Sequence, residues 1–335
     1  MRISIIVPVY NNPRDLPECL SAIIASPYPD SEIVVVDDAS TDDTGSVAAR
    51  MGIRVLQLAK NSGPGTARNY GASQVKGDIL FFVDADVAIA SDAISRVARV
   101  FEGQPDLAAV FGSYDTRPRA KGLVSQYRNL LHHFVHQNGN SQASTFWAGC
   151  GAVRRSAFEE VGGFDEKFTP TCSIEDIELG YRLRRAGHRI LLDKALQGTH
   201  LKTWTLRSVI LTDITHRAIP WSRLILESGH FPEDLNLKWE QRVCFGLVAL
   251  SCFFLALALF RIEMLAFSAA ALVTVVVLNR DLHGFFFRQR GLLFAAACIP
   301  LHLLYYLYSG LSYFYVWITM RRKGPAIQKT LCRRQ

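Results

Sequence analysis

The sequence predicts an α/β fold, a mainly parallel sheet covered by helices on both faces, followed by C-terminal helices that cross a membrane. Three observations carry this reading. Short runs that are apolar throughout alternate with segments of helical periodicity between residues 3 and 83, which is the pattern of parallel strands buried on both sides. Acidic residues close two of those runs, as Asp37-Asp38 and as Asp84-Ala85-Asp86. Residues 243–318 are mostly apolar, whereas residues 1–240 read as mixed soluble sequence.

Taken in order, residues 3–9 (Ile-Ser-Ile-Ile-Val-Pro-Val) are a first buried strand. Asn11-Asn12-Pro13 starts a helix, with an Asn cap and Pro in the first turn, and Leu16, Leu20, Ile23 and Ile24 follow at helical spacing. Residues 32–36 are a second strand, and Ser40-Thr41-Asp42-Asp43 caps the next helix. Residues 53–58 are a third strand, Gly63-Pro64-Gly65 opens a helix through Gln74, and residues 79–83 are a fourth strand. Ligands of such sheets bind beyond the carboxyl ends of the strands, so Asp37, Asp38, Asp84 and Asp86 are expected on one rim. A dinucleotide-binding fold would carry GxGxxG after its first strand. That place holds Tyr10-Asn11-Asn12-Pro13, and no Walker motif is present. A phosphate-bearing ligand must then be held by a metal and by cationic side chains.

The C-terminal part contains three apolar stretches, 243–260, 264–278 and 292–318. A span needs about 20 residues, so three membrane segments are expected, the first two forming a tight hairpin around Arg261 and Glu263. Basic residues crowd beside them: Arg280, Arg288, Arg290, Arg321, Arg322, Lys323, Arg333 and Arg334. Such clusters face the cytoplasm and anionic lipid. A two-span hairpin puts Arg280, Arg288 and Arg290 inside. One further span would carry Arg321-Arg322-Lys323 outside, against the rule, which either a re-entrant third segment or a simple exception to the rule resolves. Residues 204–242 mix apolar and basic positions and suit either an interfacial helix or packing on the soluble domain. The expected plan is therefore a soluble domain over 1–203, an amphipathic linker over 204–242, a membrane domain over 243–320 and a basic tail over 321–335.

Composition narrows the function. Of 335 residues, 49% are apolar and 20% charged, which excludes a disordered chain. The net charge of +7 is accounted for by the membrane flanks, and no basic stripe on the soluble part calls for nucleic acid. The cysteines number seven and have no CxxC spacing, so neither a zinc site nor a disulfide framework follows; free thiols fit a reducing compartment. The run 3–9 is too short for a signal-peptide core, so the soluble domain is expected to stay in the cytoplasm, anchored to the inner membrane.

Four places can carry chemistry. Asp84 and Asp86 flank one residue at a strand end and suit Mg²⁺ or Mn²⁺, whose open positions take diphosphate oxygens; the bland alternative is a solvated strand end. Asp37-Asp38 can accept from a base N–H or a ribose hydroxyl, or can serve only the start of the next helix. Glu175-Asp176 follows Ser173 at a helix start. It reads either as cap and dipole partner or as the general base for an attacking hydroxyl. His200 is a metal ligand or a structural histidine. Gly162-Gly163 marks a turn, and Phe164 beside it packs rather than binds.

Six segments in order then resemble family 2 glycosyltransferases. They are Ile5-Ile6-Val7-Pro8-Val9-Tyr10-Asn11-Asn12, Val36-Asp37-Asp38-Ala39-Ser40-Thr41-Asp42, Gly65-Thr66-Ala67-Arg68-Asn69-Tyr70-Gly71, Phe82-Val83-Asp84-Ala85-Asp86, Gly162-Gly163-Phe164-Asp165-Glu166, and Glu175-Asp176-Ile177-Glu178-Leu179-Gly180-Tyr181-Arg182-Leu183. The resemblance implies a GT-A nucleotide-sugar-binding domain and an inverting, metal-dependent transfer. It implies that Pro8, Tyr10 and Asp38 line the nucleotide pocket, that Arg68 approaches the nucleotide or diphosphate, and that Asp84 and Asp86 are the ribose and metal residues. Asp176, beside Glu175, would be the catalytic base. Trp147, Gly149 and Gly151 resemble the acceptor-side segment, and His200 stands where some relatives add a metal ligand. Membrane-embedded polymerases of the family carry Gln-x-x-Arg-Trp after the base. Here only Arg217-Ala218-Ile219-Pro220-Trp221 and Gln241-Arg242-Val243 are found, which favours transfer of a single sugar. A polyprenyl phosphate is already an anion and needs no base, so the acidic pair points to a hydroxyl on a glycan or lipid-linked acceptor. A polyprenyl-phosphate sugar synthase and a non-catalytic sugar-nucleotide-binding partner are the alternatives.

Overall fold

The first strand, β1 (Ile3–Val9), is buried at every position, as a run without polar alternation requires. In the computed structural model, which describes residues 1–168, 174–229 and 238–322, the chain divides into two units, Met1–Thr205 and Leu206–Gln335. Ser173, Lys323, Arg333 and Arg334 lie outside the described residues.

In the first unit β1 is followed by α1 (Leu16–Ile24), β2 (Ser31–Asp37), α2 (Thr44–Arg50), β3 (Arg54–Gln57), α3 (Pro64–Ser73), β4 (Ile79–Val83) and β5 (Val87–Ile89). Then come α4 (Ala93–Gly103), β6 (Leu107–Tyr114), α5 (Leu123–Gln137), β7 (Cys150–Arg154), α6 (Arg155–Glu160), α7 (Glu175–Arg185) and β8 (Arg189–His200). The eight strands form one sheet in the order β3-β2-β1-β4-β7-β6-β8-β5. The pairs β1–β2, β1–β4, β2–β3 and β6–β8 are parallel. β7 is antiparallel to both β4 and β6, and β5 is antiparallel to β8. β4 and β6 therefore point the same way, and β7 enters from the rim at which they end. That rim collects Tyr10, Asp38, Asp84, Asp115 and His200 from strand ends, and Gly149 from the start of β7. The Asp84 N–H donates to the Gly149 carbonyl at 3.1 Å, which closes the rim between β4 and β7.

One helix starts later than its capping signals predict. α1 begins at Leu16 with Pro17 in its first turn, not at Asn11-Asn12-Pro13. Asn12 caps only the turn that precedes the helix, and Asn11 is engaged elsewhere. Asn12 Oδ1 accepts the Asp15 N–H at 3.3 Å; Asn11, in the left-handed region with φ 47°, binds the Ser40–Thr41 turn. Its Oδ1 accepts the Thr41 N–H at 2.8 Å, and its own N–H donates to Ser40 Oγ at 3.0 Å.

In the second unit α8 (Leu206–Thr212), a π-helical turn (Asp213–Ala218) and α9 (Ile219–Ser228) follow one another. They are succeeded by α10 (Trp239–Leu257), α11 (Met264–Leu278), α12 (Arg280–Arg290) and α13 (Leu292–Arg322). Among the described residues two helices, Trp239–Leu257 and Leu292–Arg321, are long and apolar enough to cross a membrane. The stretch 264–278 is not a span by itself: 15 residues rise about 22 Å at 1.5 Å each, short of a hydrocarbon core of about 30 Å. It meets the length only together with α12, across a bend of 66°. Pro300 stands inside α13 without ending it. Polar pairs join the helices: Ser251 and Ser268 hydroxyls bond at 2.8 Å, and the Tyr306 hydroxyl, a single donor, lies 2.8 Å from both Gln241 Oε1 and Asn279 Oδ1. The Tyr308 hydroxyl donates to Asp213 Oδ2 at 2.6 Å, tying α13 to the π-helical turn.

Candidate functional site

The centre of the rim is a buried arginine. Arg68 lies on α3, is 4% exposed, and donates through Nη2 to Asp84 Oδ1 and through Nη1 to Glu175 Oε1, each at 2.7 Å. Its guanidinium lies 5.3 Å from the centre of the Phe164 ring. Burial disfavours its charge, but Asp84, Glu175 and Asp176 outweigh that and hold its pKa above the ordinary value. The following residue, Asn69, fixes the 162–164 turn. Its Oδ1 accepts the Phe164 N–H at 2.9 Å, and its Nδ2 donates to the Phe164 carbonyl at 2.9 Å. Gly162 and Gly163, with φ of 80° and 70°, supply the left-handed backbone that this turn needs. Phe164 is buried against Phe82 and Phe158, with ring centres 5.2 and 5.5 Å away. Packing is thus its role, as the sequence suggested.

Asp176 occupies the first turn of α7. Its Oδ2 accepts the Ala148 N–H at 3.1 Å, and its Oδ1 accepts the Ile177 N–H at 2.7 Å. The first bond ties it to the Trp147–Gly151 segment. Burial and the neighbouring Glu175 carboxylate push its pKa up to about 7, against the pull of Arg68 and the two N–H donors. Glu175 itself is buried, spends one oxygen on Arg68, and leaves Oε2 without a hydrogen-bond partner.

Asp38 is 3% exposed and holds the loop before α3, its two oxygens accepting the Ser62 and Gly63 N–H groups, each at 2.7 Å. Burial raises its pKa, and the two donors reduce the rise without cancelling it. Asp37 turns instead to the Ser40 N–H at 2.9 Å, so of the pair one carboxylate serves the following turn, where Ala39 takes the left-handed region at φ 60°. A non-glycine residue there costs about 1 kcal/mol, and such strain gathers at ligand sites. Pro8 is buried within β1, opposite Val36, and Tyr10 stands beyond the strand end, 46% exposed.

Across the rim His200 Nε2 lies 3.8 Å from Asp86 Oδ2. Burial pushes the Asp86 carboxyl up, but His200 and Lys202 reverse this and hold it below the ordinary range. Among the described residues no three His, Cys, Asp or Glu side chains gather as a metal cage; Asp84 faces Arg68 while Asp86 faces His200. The donor set still fits Mg²⁺ or Mn²⁺. These ions are held by one or two carboxylates with substrate phosphates and water, not by all-protein cages.

A group of rings beside His200 escaped the sequence reading. Tyr114 stacks on His200, with centres 4.2 Å apart and planes at 12°. It also meets His132 at 4.3 Å and the edge of Trp147 at 4.9 Å. The His132 and His136 rings lie 3.9 Å apart, tilted by 33°. The signal lay in Leu-Leu-His-His-Phe-Val-His, where His132 and His136 share one face of α5 at spacing i, i+4. Trp147 covers Gly149, where an added Cβ would lie 2.5 Å from the indole. At Gly151 a Cβ would lie 2.3 Å from the Trp147 carbonyl, which is backbone and cannot swing aside. Gly151→Ala is expected to cost about 1–3 kcal/mol, read as a lower melting temperature; an unchanged melt would show slack in the Trp147–Gly151 segment.

Comparison with known proteins agrees with this geometry. The sequence profile of glycosyl transferase family 2 matches residues 4–162; Asp176 and His200 lie beyond the matched part. The chain is 36% identical over 150 residues to glycosyltransferase GlyA of Streptococcus pneumoniae, covering 43% of this chain and 21% of that protein. It is 28% identical over 238 residues to the O-antigen chain rhamnosyltransferase RfbN of Salmonella typhimurium, covering 66% of this chain and 74% of that one. The chain thus spans about a fifth of GlyA's length. Among solved structures, a mannosyltransferase of Pyrobaculum calidifontis, in complex with GDP-Man and Mn²⁺, superposes with a TM-score of 0.57 at 20% identity, over 94% of this chain and 87% of that one. That likeness extends to the fold, which is of the GT-A kind. Through the strands and turns that build this rim, residues 4–162 are a domain of glycosyl transferase family 2.

Proposed function

We propose that the chain is an inverting glycosyltransferase that moves one sugar from a nucleotide-sugar donor to a hydroxyl of a glycan or lipid-linked acceptor, in cell-envelope or polysaccharide synthesis. The observation that carries this is Asp176. A carboxylate whose pKa is raised to about 7 is matched to take a hydroxyl proton near neutral pH, and it is hydrogen-bonded to the acceptor-side segment at Ala148. RfbN and GlyA, which bear names of sugar-transferring enzymes, support the reaction class.

The residues take the following roles. Asp38 and the loop it holds receive the nucleoside, with Tyr10 at the strand end beside it. Asp84, oriented by Arg68, receives the ribose and the diphosphate side. Asp86 and His200, with Asp84, would hold Mg²⁺ or Mn²⁺, which when bound neutralises charge on the departing diphosphate. Asp176 accepts the acceptor proton as its oxygen attacks the anomeric carbon from the face opposite the leaving group. Glu175 keeps Arg68 in place and raises the basicity of Asp176 by like-charge repulsion. Transfer should vanish in chelator and return with Mg²⁺ or Mn²⁺. Full nucleotide release in chelator would remove the metal from this reading.

The second unit anchors the enzyme in the inner membrane, with the first unit on the cytoplasmic side. Support comes from its two long apolar helices and from the arginines beside them. A high-salt wash should leave the full chain in the membrane pellet, since burial in lipid does not depend on screened charge. Release by salt alone would make the association peripheral.

A further inference from the structure

We propose that Tyr114 is a positioning residue that presets His200 for the divalent ion; the inference rests on the metal reading of Asp86 and His200 given above. The argument starts from strand register. β6 and β8 pair in parallel with Tyr114 opposite Gly198. Side chains two apart on a strand share a face, and diagonal neighbours across a ladder lie within reach of an aromatic ring. At this end of the ladder the Tyr114 ring meets His200 face to face, 4.2 Å between centres and 12° between planes.

Tyr114 cannot follow the imidazole if it turns. His132 lies 4.3 Å from its ring and Trp147 4.9 Å. The Tyr114 carbonyl is bonded to His133 Nδ1 at 2.7 Å. On the next residue, Asp115 Oδ2 accepts the Thr199 hydroxyl at 2.6 Å, a second clamp between the ends of β6 and β8. His200 is thereby held with Nε2 toward Asp86 Oδ2, 3.8 Å away. A free imidazole would spread over several staggered rotamers, only one of which aims Nε2 at the carboxylate. The same ring touches Trp147, so the stack links the metal side of the rim to the acceptor side.

The test is Mn²⁺ binding by the full-length chain in detergent, with Mn²⁺ alone as the probe, read from the electron paramagnetic resonance of the free ion. Wild type should bind one ion, and Asp86→Ala should lose that binding. Tyr114→Leu, folded by circular dichroism, should weaken it by about three- to tenfold, the dilution expected over a few rotamers. Tyr114→Phe keeps the flat ring and should bind as wild type does. If the Leu variant does not fold, Tyr114→Met fills a similar volume without a flat face and carries the same expectation. In transfer assays the Leu or Met variant should need more Mn²⁺ for half-maximal rate, yet reach a near-normal rate at saturation. Binding retained in Asp86→Ala, or a wild type that binds no more than buffer does, overturns the metal reading itself. Binding that is lost in Asp86→Ala but unchanged in Tyr114→Leu or Tyr114→Met overturns only the positioning role.

Discussion

Asp176→Asn is expected to lower sugar transfer by about 10²–10⁴-fold, the usual worth of a general base, with donor affinity unchanged. The substitution keeps the shape and removes the basicity. Nucleoside and diphosphate contacts are proposed at Asp38, Asp84 and Asp86, none of which hydrogen-bonds Asp176. The raised pKa adds a pH signature. With Asp176 titrating at about 7, the base form is lost as pH falls through 7. The wild-type rate should then drop about tenfold per unit below it, a slope that the Asn variant lacks. The sign for stability is opposite. The folded state binds the proton more tightly than the unfolded chain, so ionising Asp176 costs stability as pH rises from the ordinary carboxylate range to about 7. The variant should gain on wild type in thermal melts at pH 8 relative to pH 5. Near-normal transfer by Asp176→Asn, with donor affinity intact, would favour an acceptor that arrives already ionised, such as a polyprenyl phosphate. It would also return Asp176 to the role of a helix-start carboxylate.

Arg68→Leu is expected to destabilise the first unit by about 3–5 kcal/mol, because breaking a buried ion pair leaves its partner charged and unpaired. Glu175, buried and 2.7 Å from Arg68 Nη1, already has one oxygen without a partner; without the guanidinium it would lose the other contact too. Removing both charges should restore most of the loss, since a buried pair replaced by apolar groups of similar volume is often neutral. Arg68→Leu/Glu175→Leu should therefore melt well above Arg68→Leu, with transfer lost in both, because Asp84 and Asp176 lose their common neighbour. A double variant no more stable than the single one would show that Arg68 is held by its packing on Phe164 and not by the ion pair. Thermal unfolding of the full chain in detergent, followed by tryptophan fluorescence, gives the comparison.

How much of this was legible in the sequence follows from the range of the forces involved. Strand β4 runs over Ile79–Val83 and β1 over Ile3–Val9, as their apolar runs predicted, because burial on both faces is written in the identity of each residue. The rim was legible too: parallel strands with acidic ends put those ends together without further information. The helix start at Asn11-Asn12 failed because Asn11 binds a turn some thirty positions away in sequence, through its side chain at Thr41 and its N–H at Ser40, and no local signal records such a partner. The same limit hid the bend after Leu278, where a stretch too short to span turns into α12.

By itself the sequence determined which residues are buried strands, which carboxylates close them, and that apolar helices follow. It determined this because burial and strand polarity are local or periodic properties. Only the tertiary structure decided what each carboxylate faces. It turned Asp37 to a backbone turn and Asp38 to the loop before α3. It set Asp84 against Arg68, Asp86 against His200, and Asp176 against the Ala148 amide. It also brought His132, Trp147 and His200 together around Tyr114 from separate segments of the chain. Hydrogen bonds and ring contacts reach only a few ångströms, so they depend on which chain segments meet, and that is fixed by the order of strands across the sheet.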